Sequence, residues 1–293
     1  MVGCLSINPA HHAVRQTVHL RRIGAILLIG IGVVCPEHQA QTVAEGDEAA
    51  GAIRGLFSSV HAEREAAKER LLLGVGTPTV PQLLQLLRDL PVLEDARDDF
   101  DRPSPDGSTE NVEKLIKKYF GRRVGVQVKL GLSTVLSAEI AWRLREDIFD
   151  LLGLIGDEQA VPLLIQIMEN RETYTRLANF SGEMRALARV GSPAVPRLIE
   201  AIETAEDRAS SLPYVMSEPE EELRRGLVAE RVAQVRARAA RVLGEIGDLR
   251  ALPVLERLLQ PEARSHSTGA ERDYVVEAIQ RLLAHKNSGI VRN

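Results

Sequence analysis

Side chains able to do acid–base, nucleophilic or metal chemistry are few in this chain, and they are scattered. Its histidines are His11, His12, His19, His38, His61, His266 and His285. None is followed by glutamate, so the paired His-Glu donors that hold a metal on a helix are missing. No G-x-S-x-G, H-E-x-x-H or G-x-x-x-x-G-K run occurs, which removes the nucleophile elbow, the zinc helix and the phosphate loop. Two acidic runs remain, Glu94 to Asp106 and Glu218 to Glu222. Calcium needs six to eight oxygens at regular spacing; DDFDRPSPDG lacks that spacing, and both runs read as solvated charge. The expectation is therefore a chain with no catalytic, cofactor-binding or metal residues, and not an enzyme.

The elements that would carry any function announce themselves by repetition. LLLGVGTPTVPQLLQLL, LLGLIGDEQAVPLLIQIM, ALARVGSPAVPRLIEAI and VLGEIGDLRALPVLERLL place their glycines at Gly76, Gly156, Gly191 and Gly247 and their prolines at Pro81, Pro162, Pro196 and Pro253. Each reads as an apolar helix end, a glycine stop, a short polar link, a proline start and a second apolar helix. Such an antiparallel pair cannot bury enough surface alone and must share a core with its neighbours. The expected fold is all-α, an α-solenoid of stacked helix pairs. The prolines are 81, 34 and 57 residues apart; thirty-four is the bare unit, and the longer intervals predict insertions at about 91–108, 121–133 and 205–230, or a degenerate unit hidden between 100 and 140. RVGVQVKLGL alternates at Val124, Val126, Val128, Leu130 and Leu132, which predicts a short strand near 123–132 or a loop crossing an apolar groove.

Only ten aromatic residues serve 293 positions, so the core must be aliphatic. Residues 1–40 hold Arg15, Arg21 and Arg22 against Glu37, leaving 34 basic and 40 acidic residues in the body. A net-negative body without a basic run argues against nucleic acid. Arg21 and Arg22 precede an apolar stretch from Ile23 to Val34, about the length of a secretory h-region and short of the roughly 20 residues of a membrane span. Residues 1–40 are thus expected to be a signal peptide ending near Ala40, or an uncleaved N-terminal anchor, with residues 41–293 exported to the periplasm or cell envelope and no membrane span in the mature chain. Cys4 and Cys35 both fall in this leader, which leaves no disulfide framework.

The stretch VRARAARVLGEIGDLRALPVLERLL, from Val235 to Leu259, resembles the short HEAT-like repeat of phycobilin-lyase-type proteins, in which Val-Arg, paired alanines, Leu-Gly-x-Ile-Gly-Asp and Ala-x-Pro-x-Leu recur. Residues 151–167 carry the same Gly-x-Ile-Gly-Asp and Ala-Val-Pro, while the first and third copies have Thr77 and Ser192 in place of the aspartate. The resemblance implies a HEAT-like repeat domain. Bilin-lyase activity is known in proteins of this repeat class, but no transferable motif for it is present.

In solenoids of this kind the second helix of each pair tends to line the concave side. The fourth residue after each proline should then form a ladder, Gln85, Gln166, Glu200 and Arg257, with a second set seven after proline, Arg88, Glu169, Glu203 and Gln260. These polar, mixed-sign, non-aromatic groups suit hydrogen bonding and ion pairing to a polypeptide rather than base stacking. The sequence thus predicts a non-enzymatic scaffold or adaptor that binds another protein, with a bilin-lyase-like or other enzyme as the competing reading.

Overall fold

The computed structural model describes residues 48–75, 79–98, 108–120, 138–170, 181–212, 215, 220–260 and 269–287. Among these every regular element is helical. In chain order they are α1 (48–55), α2 (His61–Arg70), α3 (Val80–Asp98), α4 (Ser108–Phe120), α5 (Ala138–Ile155), α6 (Val161–Asn170), α7 (Gly182–Val190), α8 (Val195–Glu203), α9 (Ala205–Ser210), α10 (Glu221–Ile246), α11 (Leu252–Leu258) and α12 (Gly269–Asn287). A π-helical turn, Leu71–Val75, extends α2. Three 3-10 turns, Glu158–Ala160, Ser192–Ala194 and Leu249–Ala251, lead into α6, α8 and α11.

The helices form two layers. In the first, α5 packs on the π turn after α2 and on α7, α7 on α10, and α10 on α12; in the second, α3 meets the turn before α6, α6 packs on α8, and α8 meets the turn before α11. Leucine, isoleucine, valine and alanine fill the seam, from Leu83, Leu86 and Leu90 through Leu151, Leu152 and Leu164 to Leu198, Leu243 and Leu255, all essentially inaccessible. That is the stacked-pair architecture the repeats called for.

The repeated residues act as backbone devices. Gly156, Gly191 and Gly247 have φ of 68°, 79° and 78°, in the region where a side chain is strained. Asp157 accepts a hydrogen bond from the Gln159 amide at 2.8 Å and Asp248 one from the Arg250 amide at 3.0 Å, each closing the turn before the second helix. Pro196 and Pro253 lie in the first turn of α8 and α11, where an absent N–H costs nothing.

A further glycine lies three residues before the stop. A Cβ on Gly153 would stand 2.9 Å from the Ala186 Cα, and one on Gly244 2.9 Å from the Ala278 Cα. At these two points α5 meets α7 and α10 meets α12 backbone against backbone. The third copy has Ala188 at this place and the first has Leu73, which is exposed.

Several boundaries differ from the sequence expectation. The helix opened by Pro81 does not give way to an insertion at 91; α3 runs through Pro91 to Asp98. Proline removes one backbone bond, but Leu93 beyond it is fully buried, so the apolar face carries the helix on. The last helix spans Gly269–Asn287. Of the 205–230 insertion, α9 and the first turns of α10 are helical, and Ala205, Ala209, Val232 and Val235 give them a small core of their own. The strand expected near 123–132, the rest of the 121–133 insertion and the 1–40 leader lie outside the described residues.

Candidate binding face

Each ladder residue lies on a second-layer helix or just past its end. Gln85 and Arg88 are on α3, Gln166 and Glu169 on α6, Glu200 and Glu203 on α8, and Arg257 on α11 with Gln260 two residues beyond it. All are exposed except Glu169 and Glu200, which are half-buried. Apolar residues between them, such as Leu164, Met168, Leu198, Ile202 and Leu255, turn into the core, and this 3.6-residue division is what puts the ladder on the outside.

The structure ties several rungs together. Glu203 and Arg257 form an ion pair from α8 to α11. Arg208, on the inserted α9, donates to both oxygens of Glu169 at 2.7 and 2.8 Å and lies 3.8 Å from Glu200. Glu200 also accepts from Arg197 at 2.7 Å, and this bond holds its carboxyl below the usual glutamate range. Gln85 instead turns along its own helix, donating to Asp89 at 2.8 Å. The ladder is thus a joined face from α6 to α11, with its first rung engaged elsewhere.

Ion pairs also clip the first layer. Glu146 pairs with Arg185, Asp150 with Arg189 at 2.7 Å, Glu245 with Arg281, and Lys68 with Asp147. Sequence reading missed these pairs, although a signal existed. Three of the acids, Glu146, Asp150 and Glu169, have their arginine 39 residues later, one bare unit plus little more than a helical turn. Buried Arg238 donates to the Met168 carbonyl at 2.7 Å, satisfying an end-of-helix acceptor of α6. Arg250 reaches the Ser192 carbonyl at 3.1 Å, joining two successive turns.

Sequence reading also missed the polar centre between α3 and α4. Asp89, almost fully buried, accepts from Tyr119 at 2.6 Å, Lys118 at 3.0 Å and Gln85 at 2.8 Å. Burial alone would raise its pKa, but the three donors prevail and lower it. Burial, and then the bond to Asp89, push the Tyr119 phenol far up, so it stays protonated and is no base. Phe57 covers this centre, with ring centroids 4.7 Å from Phe120 and 5.8 Å from Tyr119.

Residues 235–261 match the family model of the PBS lyase HEAT-like repeat. The chain carries a HEAT-like repeat. Within the match lie Gly244 against Ala278, left-handed Gly247, the Asp248 cap and Pro253 opening α11, the same devices that the second copy has at Gly153, Gly156, Asp157 and Pro162. Neither a curated protein nor a solved structure matches the chain. Among the described residues no helix is long and apolar enough to cross a membrane, and no group of three or more His, Cys, Asp or Glu could hold a metal ion.

Proposed function

We propose that this repeat protein is a non-enzymatic scaffold or adaptor, and that it binds another protein through the second-layer face bearing Gln85, Arg88, Gln166, Glu169, Glu200, Glu203, Arg257 and Gln260. The observation that carries this reading is the gathering of charged groups from α6, α8, α9 and α11 on one face in two sets of ion pairs, Glu169–Arg208–Glu200–Arg197 and Glu203–Arg257, which meet on α8. Alternating charges held in fixed register are what a polypeptide surface of complementary pattern can read. We further propose export to the periplasm or cell envelope, supported by the Arg21-Arg22 pair, the apolar Ile23 to Val34 stretch and Ala40.

Exchanging the partners of one clip tests the face. Glu203→Arg with Arg257→Glu keeps the ion pair between α8 and α11 but reverses its polarity. In-cell crosslinking followed by identification of the captured protein should lose that protein in the exchanged chain while the melting temperature stays within a few degrees. Equal capture by both chains would remove the face from the proposal. A reporter fused after residue 45 reads out export. The family model's name favours one second reading, a bilin lyase; incubating the purified chain with bilins and acceptor proteins would reveal it as covalent attachment above background.

A further inference from the structure

We infer that the partner taken up by the second-layer face is an acidic stretch of polypeptide, held by the guanidinium groups of Arg197, Arg208 and Arg257. This rests on the binding face proposed above and adds the sign of the charge that the face reads. The paired charges balance in number, yet the two signs lie at different depths. Side-chain exposure is 60% for Arg197 against 43% for Glu200, 44% for Arg208 against 13% for Glu169, and 66% for Arg257 against 47% for Glu203. In each pair the arginine stands outermost and the carboxylate lies beneath it. None of the first-layer clip arginines, Arg185, Arg189 and Arg281, is more than 43% exposed.

The three guanidinium groups gather around α8. Glu200 accepts from Arg197 at 2.7 Å and lies 3.8 Å from Arg208, and Glu203, one turn further along α8, pairs with Arg257. Exposed Glu206, Asp207 and Glu256 precede Arg208 and Arg257 on α9 and α11, and each residue of offset turns a side chain by about 100° round its helix, away from the arginines. Each arginine is already fixed by an acid of the chain, so little side-chain entropy remains to be lost when a ligand arrives. A guanidinium carries five N–H donors in a rigid fork. Arg197 uses Nη1 on Glu200 and Arg257 uses Nη2 on Glu203, and the fork geometry suits a second carboxylate bound in plane. A lysine-rich ligand would instead have to reach carboxylates that those arginines cover. A phosphate polymer, far denser in charge than an acidic peptide, would also meet a body with 34 basic and 40 acidic residues beyond residue 40, which opposes it.

Fluorescence anisotropy on the full chain reads the sign directly, with labelled peptides of repeated Glu-Gly-Ser, Lys-Gly-Ser and Gln-Gly-Ser and a labelled uridine homopolymer. At low salt the Glu peptide should bind about tenfold more tightly than the Lys and Gln peptides, and added salt should weaken it. Arg197→Gln and Arg257→Gln should each weaken it about threefold to fivefold, the range of an exposed ion pair. The comparison among peptides needs no variant. Preference for the Lys peptide, equal binding of all three, no measurable binding of the Glu peptide, or Glu-peptide binding that neither substitution alters would each overturn the inference. So would tighter binding of the uridine homopolymer, which would make phosphate the ligand. The binding face itself is judged separately, by the crosslinking of the Glu203 and Arg257 exchange: unchanged capture there removes the face, whereas lost capture with a preference for the Lys peptide removes only the sign.

Discussion

From Ala138 to Leu258 the chain uses one set of devices again and again, whereas residues 48–120 reach a similar packing by individual solutions. In the first region, glycines with positive φ end α5, α7 and α10, aspartates close two of the turns, and Gly153 lets the next helix approach to backbone distance, as Gly244 does toward α12. In the second, a π turn extends α2, Leu73 stands exposed where a contact glycine would be, and aromatic rings with a buried aspartate seat α4. The difference teaches where the stacking energy comes from. The second and fourth copies gain from backbone proximity that depends on a missing side chain at a repeated position, while over residues 48–120 the close approach is an isolated one, Gly55 of α1 against Ala67 of α2, where an added Cβ would stand 2.8 Å from the Ala67 Cβ.

Substitutions can break or sharpen this contrast. Leu243→Ala, which empties a fully buried site in α10, should cost about 2–5 kcal/mol in urea unfolding. Ile116→Ala in α4, at the edge of the same buried core, should cost toward the lower end of that range. Gly247→Ala should cost about 1–3 kcal/mol from its left-handed backbone and more than Gly156→Ala, because the His285 ring lies 3.1 Å from the added Cβ whereas nothing lies within 4 Å at Gly156. Asp248→Ala should lose about 1 kcal/mol with the turn's cap. Arg257→Gln, which opens an exposed clip, should cost under about 1 kcal/mol.

Acid sharpens the contrast from the other side. Asp89 has a lowered pKa in the folded chain, so its stabilisation is complete above the ordinary aspartate value near 3.9 and is lost as pH falls through the lower folded value. The contribution of Asp89 should be intact at pH 5 and be lost only below the usual aspartate range, read as the difference in urea stability between the wild type and Asp89→Asn.

How much of this was legible depended on whether a feature repeats. Gly156, Gly191, Gly247, Pro196 and Pro253 have the roles the sequence suggested, because a stop and a start must recur at every unit, and Asp157 and Asp248 cap the turns of the two copies that carry an aspartate there. The second role of Leu-Gly-x-Ile-Gly, with Gly153 and Gly244 as contact points, was visible as a motif but not as geometry, since only the neighbouring helix reveals what a Cβ would strike. Pro91 looked like a helix end and is not one, because burial of Leu93 is a tertiary fact. Of the ladder, its exposure was legible from spacing. Its pairing through Arg208 was not, since α9 is an insertion outside the repeat. Asp89, Lys118 and Tyr119 occur once, at no repeated interval, and nothing in their order marks them as a cluster.

Placing valine at the same position of three copies, Leu73, Gly153 and Gly244, and measuring unfolding in urea tests the stacking account most directly. Gly153→Val and Gly244→Val should each lose about 3 kcal/mol, the range of an overpacked core, while Leu73→Val stays within about 0.5 kcal/mol of the wild type as an exposed change. Equal effects at all three positions, or none at the two glycines, would contradict the claim that the second and fourth copies stack backbone against backbone on the next helix.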